Sequence, residues 1–538
     1  MSNRGRIAIM MAAGAGLLLG AELAEARRFF DDDPLLQMPE PRNVTRAAYR
    51  AINEVYDVFS ATFSSTNQPK VRARSANTVG EVPDSEWFVN RHARQRLETP
   101  ELLAGPGAAH PPSMEGPWEV TKLKLPGTTP GFEFRDVTGR HYVLKLDPPE
   151  HPELGTGAEM IGVRLFHAMG YRVPESYLVR FPLSQLEVAR GATMAATHGR
   201  ARAIVPMDLI TLLRDQPRDE DGRIRALASR RIEGEPLGPF RFYGTRSDDP
   251  NDTIPHEHRR ELRGLAVPSA WLNHTEINAT NTLDMLVNRN RRRYIEHYLL
   301  DFNGILGSGP DGPKSARSGF AALIEKRPAL AQALTLGAWV PDWASVRYPQ
   351  IAGVGRFEAD FFNPSHWRAD YPLPAFELAR PDDLFWGTKL ILSFTEADIR
   401  LVLSTAEYTD PQAVEWIVQC LLKRQEKLAR YHLERVLPVD DLAVGDDGKV
   451  RFRDLSVERG YVPERSYFYQ WGRFDNEAER FYPVTSATTA TMPAELSRLP
   501  ANSYCGVNIH AGDARRSVMA YFRKQGAGWS LVGLDRSF

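Results

Sequence analysis

Apolar positions along this chain follow two periods, and the places where one gives way to the other mark out its elements. From Trp118 to Asp147, "WEVTKLKLPGTTPGFEFRDVTGRHYVLKLD" alternates apolar and polar side chains, interrupted by Gly and Pro and by the turn dipeptide Thr138-Gly139. That alternation predicts antiparallel hairpins. In "GAEMIGVRLFHAMGY" the period lengthens: Met160, Val163, Phe166, Ala168 and Met169 recur at helical spacing, and Gly170 and Pro174 stop the run. Extended residues in "RALASRRIEGEPLGPFRFYG" lead into a helix through "IPHEHRRELRGLAVPSAWLNH". Two β-rich runs then flank a polar turn in "LDMLVNRNRRRYIEHYLLDF". From Thr395 to Leu437 the pattern is helical again, most regularly in "DPQAVEWIVQCLLKRQEKLARYHLERV", whose Leu-rich stripe belongs to a core. The closing residues alternate and turn at "QGAGW", which predicts a small β domain. No internal repeat is present. A sheet followed by helices predicts an α+β fold.

The amino-terminal part is more polar. It carries one helical pattern, "RAAYRAINEVYDVFSATF", then "EVPDSEWFVNR", which reads as a docking arm, and a Gly/Pro/Ala linker, "LLAGPGAAHPPSMEGP". The first 26 residues form an export signal in pattern: Arg4 and Arg6 precede the apolar run "IAIMMAAGAGLLLG", and "AEA" at Ala24 to Ala26 supplies small residues for cleavage. The apolar run, at about 15 residues, is shorter than the ~20 that span a bilayer. The expected location is therefore periplasmic or secreted, with membrane anchoring if the segment stays uncleaved and no transmembrane domain after cleavage.

Composition narrows the choices. With 538 residues and 42% hydrophobic content, the chain can bury a large core. Its 67 Lys and Arg balance 68 Asp and Glu, leaving a net charge of -1, without the basic excess that phosphate-neutralising nucleic-acid binders carry. The run "RNRRR", Arg289 to Arg293, falls at the polar turn and reads as a solvated face. Cys420 and Cys505 either pair or sit as separate buried thiols, and they have no neighbouring zinc-ligand spacing. "HEH" at His256 to His258 reads as capping and surface polarity at a helix start.

Four signals fall in one order: "YVLK" ends a strand at Lys145, Glu159 lies on the next helix, "HTEINATN" follows a helix, and "LLDFNG" ends the strand after a hairpin. Each has a chemical use. A lysine is a point charge suited to phosphate oxygens, and a helix carboxylate can hold it in place. Glu276 can accept a hydroxyl proton, and Asn281 and Asp301 offer the hard oxygens that Mg²⁺ prefers. The hairpin between them brings Asp301 back beside Asn281.

This order resembles the protein-kinase-like fold over roughly residues 118 to 435, closest to its HipA-like and spore-coat or secretory kinases. The resemblance implies a bilobal molecule with an antiparallel β N-lobe at 118–240, a mainly helical C-lobe at 241–440 and an added β domain at 441–538, preceded by a signal at 1–26 and an arm at 27–117. It implies Mg-ATP as the nucleotide partner, with Lys145, Thr128, Thr129 and Gly131 around the phosphates, Glu276 as the base with Lys145 and Glu159 in the catalytic set, and Asn281 and Asp301 on the metal. His274 in that pattern is architectural. Glu276 stands where the family has aspartate, and Asn303 where it has the first glycine, with Gly304 following. An exported kinase acting on an unknown acceptor and a pseudokinase serving as a binding module for an envelope protein are the two functions this implies.

Overall fold

The computed structural model describes residues 27–53, 68–123, 129–194, 201–322, 342–484 and 489–538. The fold is mixed α+β. It divides into two units, one of residues 36–77 and 81–436, the other of residues 27–35, 78–80 and 437–538.

In the larger unit, the alternating stretch forms β1 (Trp118–Leu123), β2 (Gly131–Arg135) and β3 (His141–Lys145). With β4 (Ser176–Phe181), β5 (Leu186–Met194), β6 (Arg202–Ala203) and β7 (Ile224–Arg230) they make a seven-stranded sheet in the order β4-β7-β3-β2-β1-β5-β6. Only the β1–β5 pair is parallel. Because side chains alternate across a pleated strand, Trp118, Val120, Phe132, Phe134, Tyr142, Leu144, Ala226 and Ala228 share one buried face, joined by Leu209 and Leu213. Leu227, next in sequence to Ala226, belongs to a different core: that of the helix Leu154–Met169, here α2, the short helix α1 being Thr99–Ala104.

That second core collects the helices α4 (Arg260–Gly264), α5 (Ala266–Leu272), α7 (Pro381–Leu392), α8 (Glu396–Ser404) and α9 (Pro411–Leu433), with α3 being Pro206–Leu213 and α6 Pro374–Glu377. α9 carries the Leu-rich stripe inward: Ile417, Leu421 and Leu428 are buried in it. An antiparallel ribbon, followed in the chain by the small pair β11 (Ser308–Gly309) and β12 (Gly312–Pro313), is made of β8 (Glu235–Pro236), which precedes α4, and of β9 (Thr282–Arg289) and β10 (Arg292–Leu299), which lie between α5 and α6, in the order β10-β9-β8. Its two-residue turn, Asn290 and Arg291, has φ of 50° and 65°, the left-handed pair that a tight hairpin requires. The surrounding arginines are ion-paired: Arg289 with Glu296 at 3.0 Å, Arg292 with Glu40, and Arg293 with Glu235 at 3.6 Å.

Two expectations need correction, and of the two alternatives for the cysteines one is seen. The helical pattern from Arg46 is not helical over its described part, residues 46–53; the rest lies outside the described residues. Val44 donates to the Arg293 carbonyl (2.8 Å) and packs with Leu237, Leu286 and Ile295, so sheet contacts override the local period there. His256 and His258 are buried, not surface. His256 bonds Asp252 (2.8 Å) and meets Trp87 edge-on, while Trp87 stacks on His297 at 3.5 Å. His258 accepts from Arg263 at 2.8 Å. The two cysteines are both free and buried, Cys420 with its thiol pushed up to about 12 by burial.

The smaller unit is a five-stranded antiparallel sheet of β15 (Phe468–Asp475), β16 (Arg480–Pro483), β17 (Tyr504–His510), β18 (Ser517–Gln525) and β19 (Gly528–Ser537), ordered β16-β15-β17-β18-β19, with the hairpin β13 (Val439–Val444) and β14 (Val450–Asp454). Trp471, Val507, Val518 and Phe522 are buried with the hairpin, and Phe29 from the arm is buried with Phe474, Tyr521 and Val532. Leu534 donates to the Thr78 carbonyl at 2.8 Å. The sheet thus draws in residues 27–35 and 78–80, which sequence alone leaves in the arm.

Candidate functional site

Leu144 points into the sheet's buried face, so Lys145 points to the other side, where α2 lies. There Lys145 Nζ is 2.5 Å from Glu159 Oε2 and 2.7 Å from Asp301 Oδ1. Burial pulls the ammonium's pKa down, and the Asp301 and Glu159 carboxylates more than reverse that, holding it above its ordinary value. The same strand end also fixes the helix. Glu153, at the start of α2, gives no side-chain cap. Asp147 supplies it instead, accepting from the backbone N–H groups of Glu153 (2.9 Å), Gly155 (2.8 Å) and Thr156 (2.8 Å) and from the Thr156 hydroxyl (2.6 Å). These donors would otherwise be orphaned in a buried place.

Asp301 is delivered by the ribbon. The β9–β10 register runs to Leu299 opposite Thr282, and Leu300 N–H then donates to the Asn281 carbonyl at 2.9 Å, which sets Asp301 one residue beyond Asn281. Asp301 has φ of 60°, a left-handed conformation that Asp tolerates better than most residues. The following Phe302 is buried, stacked on Phe166 at 4.8 Å. α2 passes so close here that a Cβ on Gly162 would lie 2.6 Å from that of Phe302. His274 completes this aromatic nest at 5.6 Å from Phe302; neither ring nitrogen has a hydrogen-bond partner, and burial pushes its pKa down to about 3. It is a neutral core residue.

Asn281 donates through Nδ2 to the Glu276 carbonyl at 2.8 Å, which leaves its amide oxygen facing elsewhere. Among the described residues, no group of three or more His, Cys, Asp and Glu side chains is disposed to hold a metal. One carboxylate and one amide oxygen suit a cation whose remaining positions are filled by phosphate and water, the usual way Mg²⁺ is held beside a nucleotide.

Glu276 is tied to a residue that sequence reasoning missed. Lys314, buried, reaches Glu276 Oε1 at 3.2 Å and the Thr275 hydroxyl at 3.1 Å. That hydroxyl donates to Asp370 at 3.1 Å. Burial pushes the Glu276 carboxyl above its ordinary value, against the pull of Lys314. Gly304 makes room for the pair, since a Cβ there would come 2.6 Å from Glu276 Oε2 and 3.1 Å from Lys314 Nζ. No spacing rule points to Lys314, which follows a Gly-Pro turn; Asp147, two residues past Lys145, was the more visible omission.

Of the loop residues expected around the phosphates, Thr128 lies outside the described residues. The Thr129 hydroxyl accepts from Asn303 Nδ2 at 2.6 Å, linking the loop to the Asp301 turn. Gly131 pairs with Lys145 in the ladder, and a Cβ on it would lie 2.0 Å from the Leu144 carbonyl oxygen, so glycine is required there by strand contact.

No protein-family model and no curated protein matches the chain. Among solved structures, it is similar to the crystal structure of a Helicobacter pylori proinflammatory kinase, CtkA, at 10% identity and a TM-score of 0.31, over 60% of this chain and 97% of that one. It is also similar to the Golgi casein kinase, at 9% identity and a TM-score of 0.28, over 75% of this chain and 96% of that one. The same kinase with Mn/ADP bound gives 8% identity and a TM-score of 0.27, over 76% and 94%.

Proposed function

We propose that this chain is a kinase-like protein that binds Mg-ATP in the cleft containing Lys145 and transfers the terminal phosphoryl group to an acceptor hydroxyl. The observation that carries this is the buried lysine bonded to two carboxylates from separate elements, Glu159 of α2 and Asp301 after β10. A buried lysine and glutamate beside a second, partly exposed carboxylate, with a net charge of -1, are costly to maintain for stability alone. As the cradle of a phosphate-metal complex the arrangement has a use: Lys145 would neutralise phosphate oxygens, Glu159 holds Lys145 in place, and Asp301 would offer its carboxylate to the cation. Asn281 and Asp301 would hold that cation, which neutralises phosphate charge when bound. Glu276 takes the proton of the acceptor hydroxyl as its oxygen forms the new bond to phosphorus and the bond to the leaving diphosphate breaks; ADP and the phosphorylated acceptor result. The sheet with α2 and the helical core act as the two lobes. The amino-terminal pattern, Arg4 through Ala26, supports export of the mature chain, and among the described residues no helix is long and apolar enough to cross a membrane.

A second reading, a pseudokinase serving as a binding or scaffold module for an envelope partner, draws support from the lysine contacts that already occupy both Asp301 and Glu276. Thermal unfolding tests the nucleotide binding that the first reading requires. ATP with Mg²⁺ at 100 times its Kd should stabilise the chain by about 2.7 kcal/mol, and ATP with a chelator should not. No shift at millimolar Mg-ATP would rule out nucleotide binding and leave the binding module.

A further inference from the structure

The Lys314 side chain comes from the segment after the turn Ser308–Pro313, and its backbone is pinned from both sides: its N–H donates to the Gly307 carbonyl at 2.9 Å, and its carbonyl accepts from Arg356 at 2.8 Å. Only the side chain is left to vary, and it is buried. Its ammonium has two named partners, Glu276 Oε1 and the Thr275 hydroxyl. Thr275 is itself fixed twice by Asp370, through its hydroxyl at 3.1 Å and through its carbonyl, which accepts the Asp370 N–H at 2.8 Å. The result is a chain of contacts, Asp370 to Thr275 to Lys314 to Glu276, ending on a carboxylate that keeps about a third of its side chain exposed.

Glutamate has one more rotatable bond than aspartate, so a free Glu276 would sample several positions of its carboxylate. Proton abstraction requires one of them, within hydrogen-bond reach of the acceptor, and a displacement of about 1 Å costs up to ~100-fold in rate. A buried ammonium on a pinned backbone is a fixed point of attachment for one oxygen, leaving the other to meet the acceptor. Gly304 fits this arrangement, because any side chain there would enter the space of both groups.

We propose that Lys314 is the positioning residue for Glu276, holding the carboxylate in the geometry from which it accepts the acceptor's proton. This rests on the phosphotransfer function proposed above. The test uses the full chain, Mg-ATP, and release of ADP with water as acceptor, so that no natural acceptor is needed. Lys314→Met should lower turnover about 10-fold or more while the Mg-ATP thermal shift stays that of the wild type. In a Glu276→Gln background, the same change should add little, because the group it positions is already gone. Lys314→Arg, which keeps the cation, should recover much of the loss; if Lys314→Met does not fold, the comparison of Lys314→Arg with Lys314→Gln replaces it. A wild-type rate in Lys314→Met, or an equal loss in the Glu276→Gln background, overturns the positioning role and leaves the phosphotransfer function standing. A wild type that neither binds Mg-ATP nor releases ADP overturns both.

Discussion

Lys145 and Asp301 are 156 positions apart in the chain, and 2.7 Å separates the ammonium of one from the carboxylate of the other. The first ends a strand of the seven-stranded sheet and the second follows the ribbon, so this contact joins the two layers of the larger unit at the candidate site. Replacing Lys145 by Met leaves Glu159 buried without its cation. Breaking a buried pair from one side costs about 3–5 kcal/mol, so the urea midpoint should fall. A double-mutant cycle of Lys145→Met with Glu159→Gln, read by Mg-ATP affinity, should give a coupling of about 0.5–3 kcal/mol. Additive effects would show that the pair does not act as one unit.

Glu276→Gln keeps the shape of the side chain and removes its basicity. Turnover should drop about 10²-fold or more, with the Mg-ATP thermal shift little changed. Asp301→Asn should instead weaken binding that depends on the metal, since it deletes a ligand charge. Glu276→Asp shortens the reach to Lys314, and a gain in rate would mark the glutamate as a brake.

Gly304→Ala tests the crowding around Glu276 without replacing a charged group. The added methyl would stand 2.6 Å from Glu276 Oε2. The expected outcome is a fall in turnover with folding and nucleotide affinity kept, measured by ADP release beside circular dichroism and thermal shift. An unchanged rate would mean the pair has slack to move.

Acid should destabilise the larger unit through three histidines. His167, His274 and His432 all have pKa values pushed down to about 3 by burial, against an ordinary 6.5. Neutral in the folded state and protonated in the unfolded one at mildly acid pH, each contributes stability that is complete above pH 6.5 and is lost as pH falls toward 3. The limiting slope is about 1.4 kcal/mol per pH unit for each. Urea midpoints between pH 7.5 and 5 should fall accordingly, and His274→Phe, which suits the aromatic nest, should remove one share of the slope. An unaltered slope in that variant would place the acid sensitivity elsewhere.

The periodic elements were legible from the chain: the strands within 118–123 and 129–145, α2, the β9–β10 ribbon and α9 all stand where their patterns put them. So were the Lys145–Glu159 pair and the return of Asp301 beside Asn281, because local order, strand then helix then hairpin, carries those residues; the contact between Lys145 and Asp301 was not. What escaped came from long-range contacts with no periodic signature. Lys314 is placed by backbone bonds to Gly307 and Arg356, the stretch after Arg42 by pairing with a distant ribbon, and His256 by a carboxylate and an indole that close around it. The early capture of Phe29 by the last sheet is of the same kind.

That capture has a bearing on how the protein is made. Arg28 bonds to Asp535, 507 positions away, and Phe29 is buried among residues of β15, β18 and β19. A ribosome makes Arg28 and Phe29 before any of these partners, so the smaller unit cannot complete its core in the order of synthesis, and its leading segment lacks its sheet until β15, β18 and β19 have all been made.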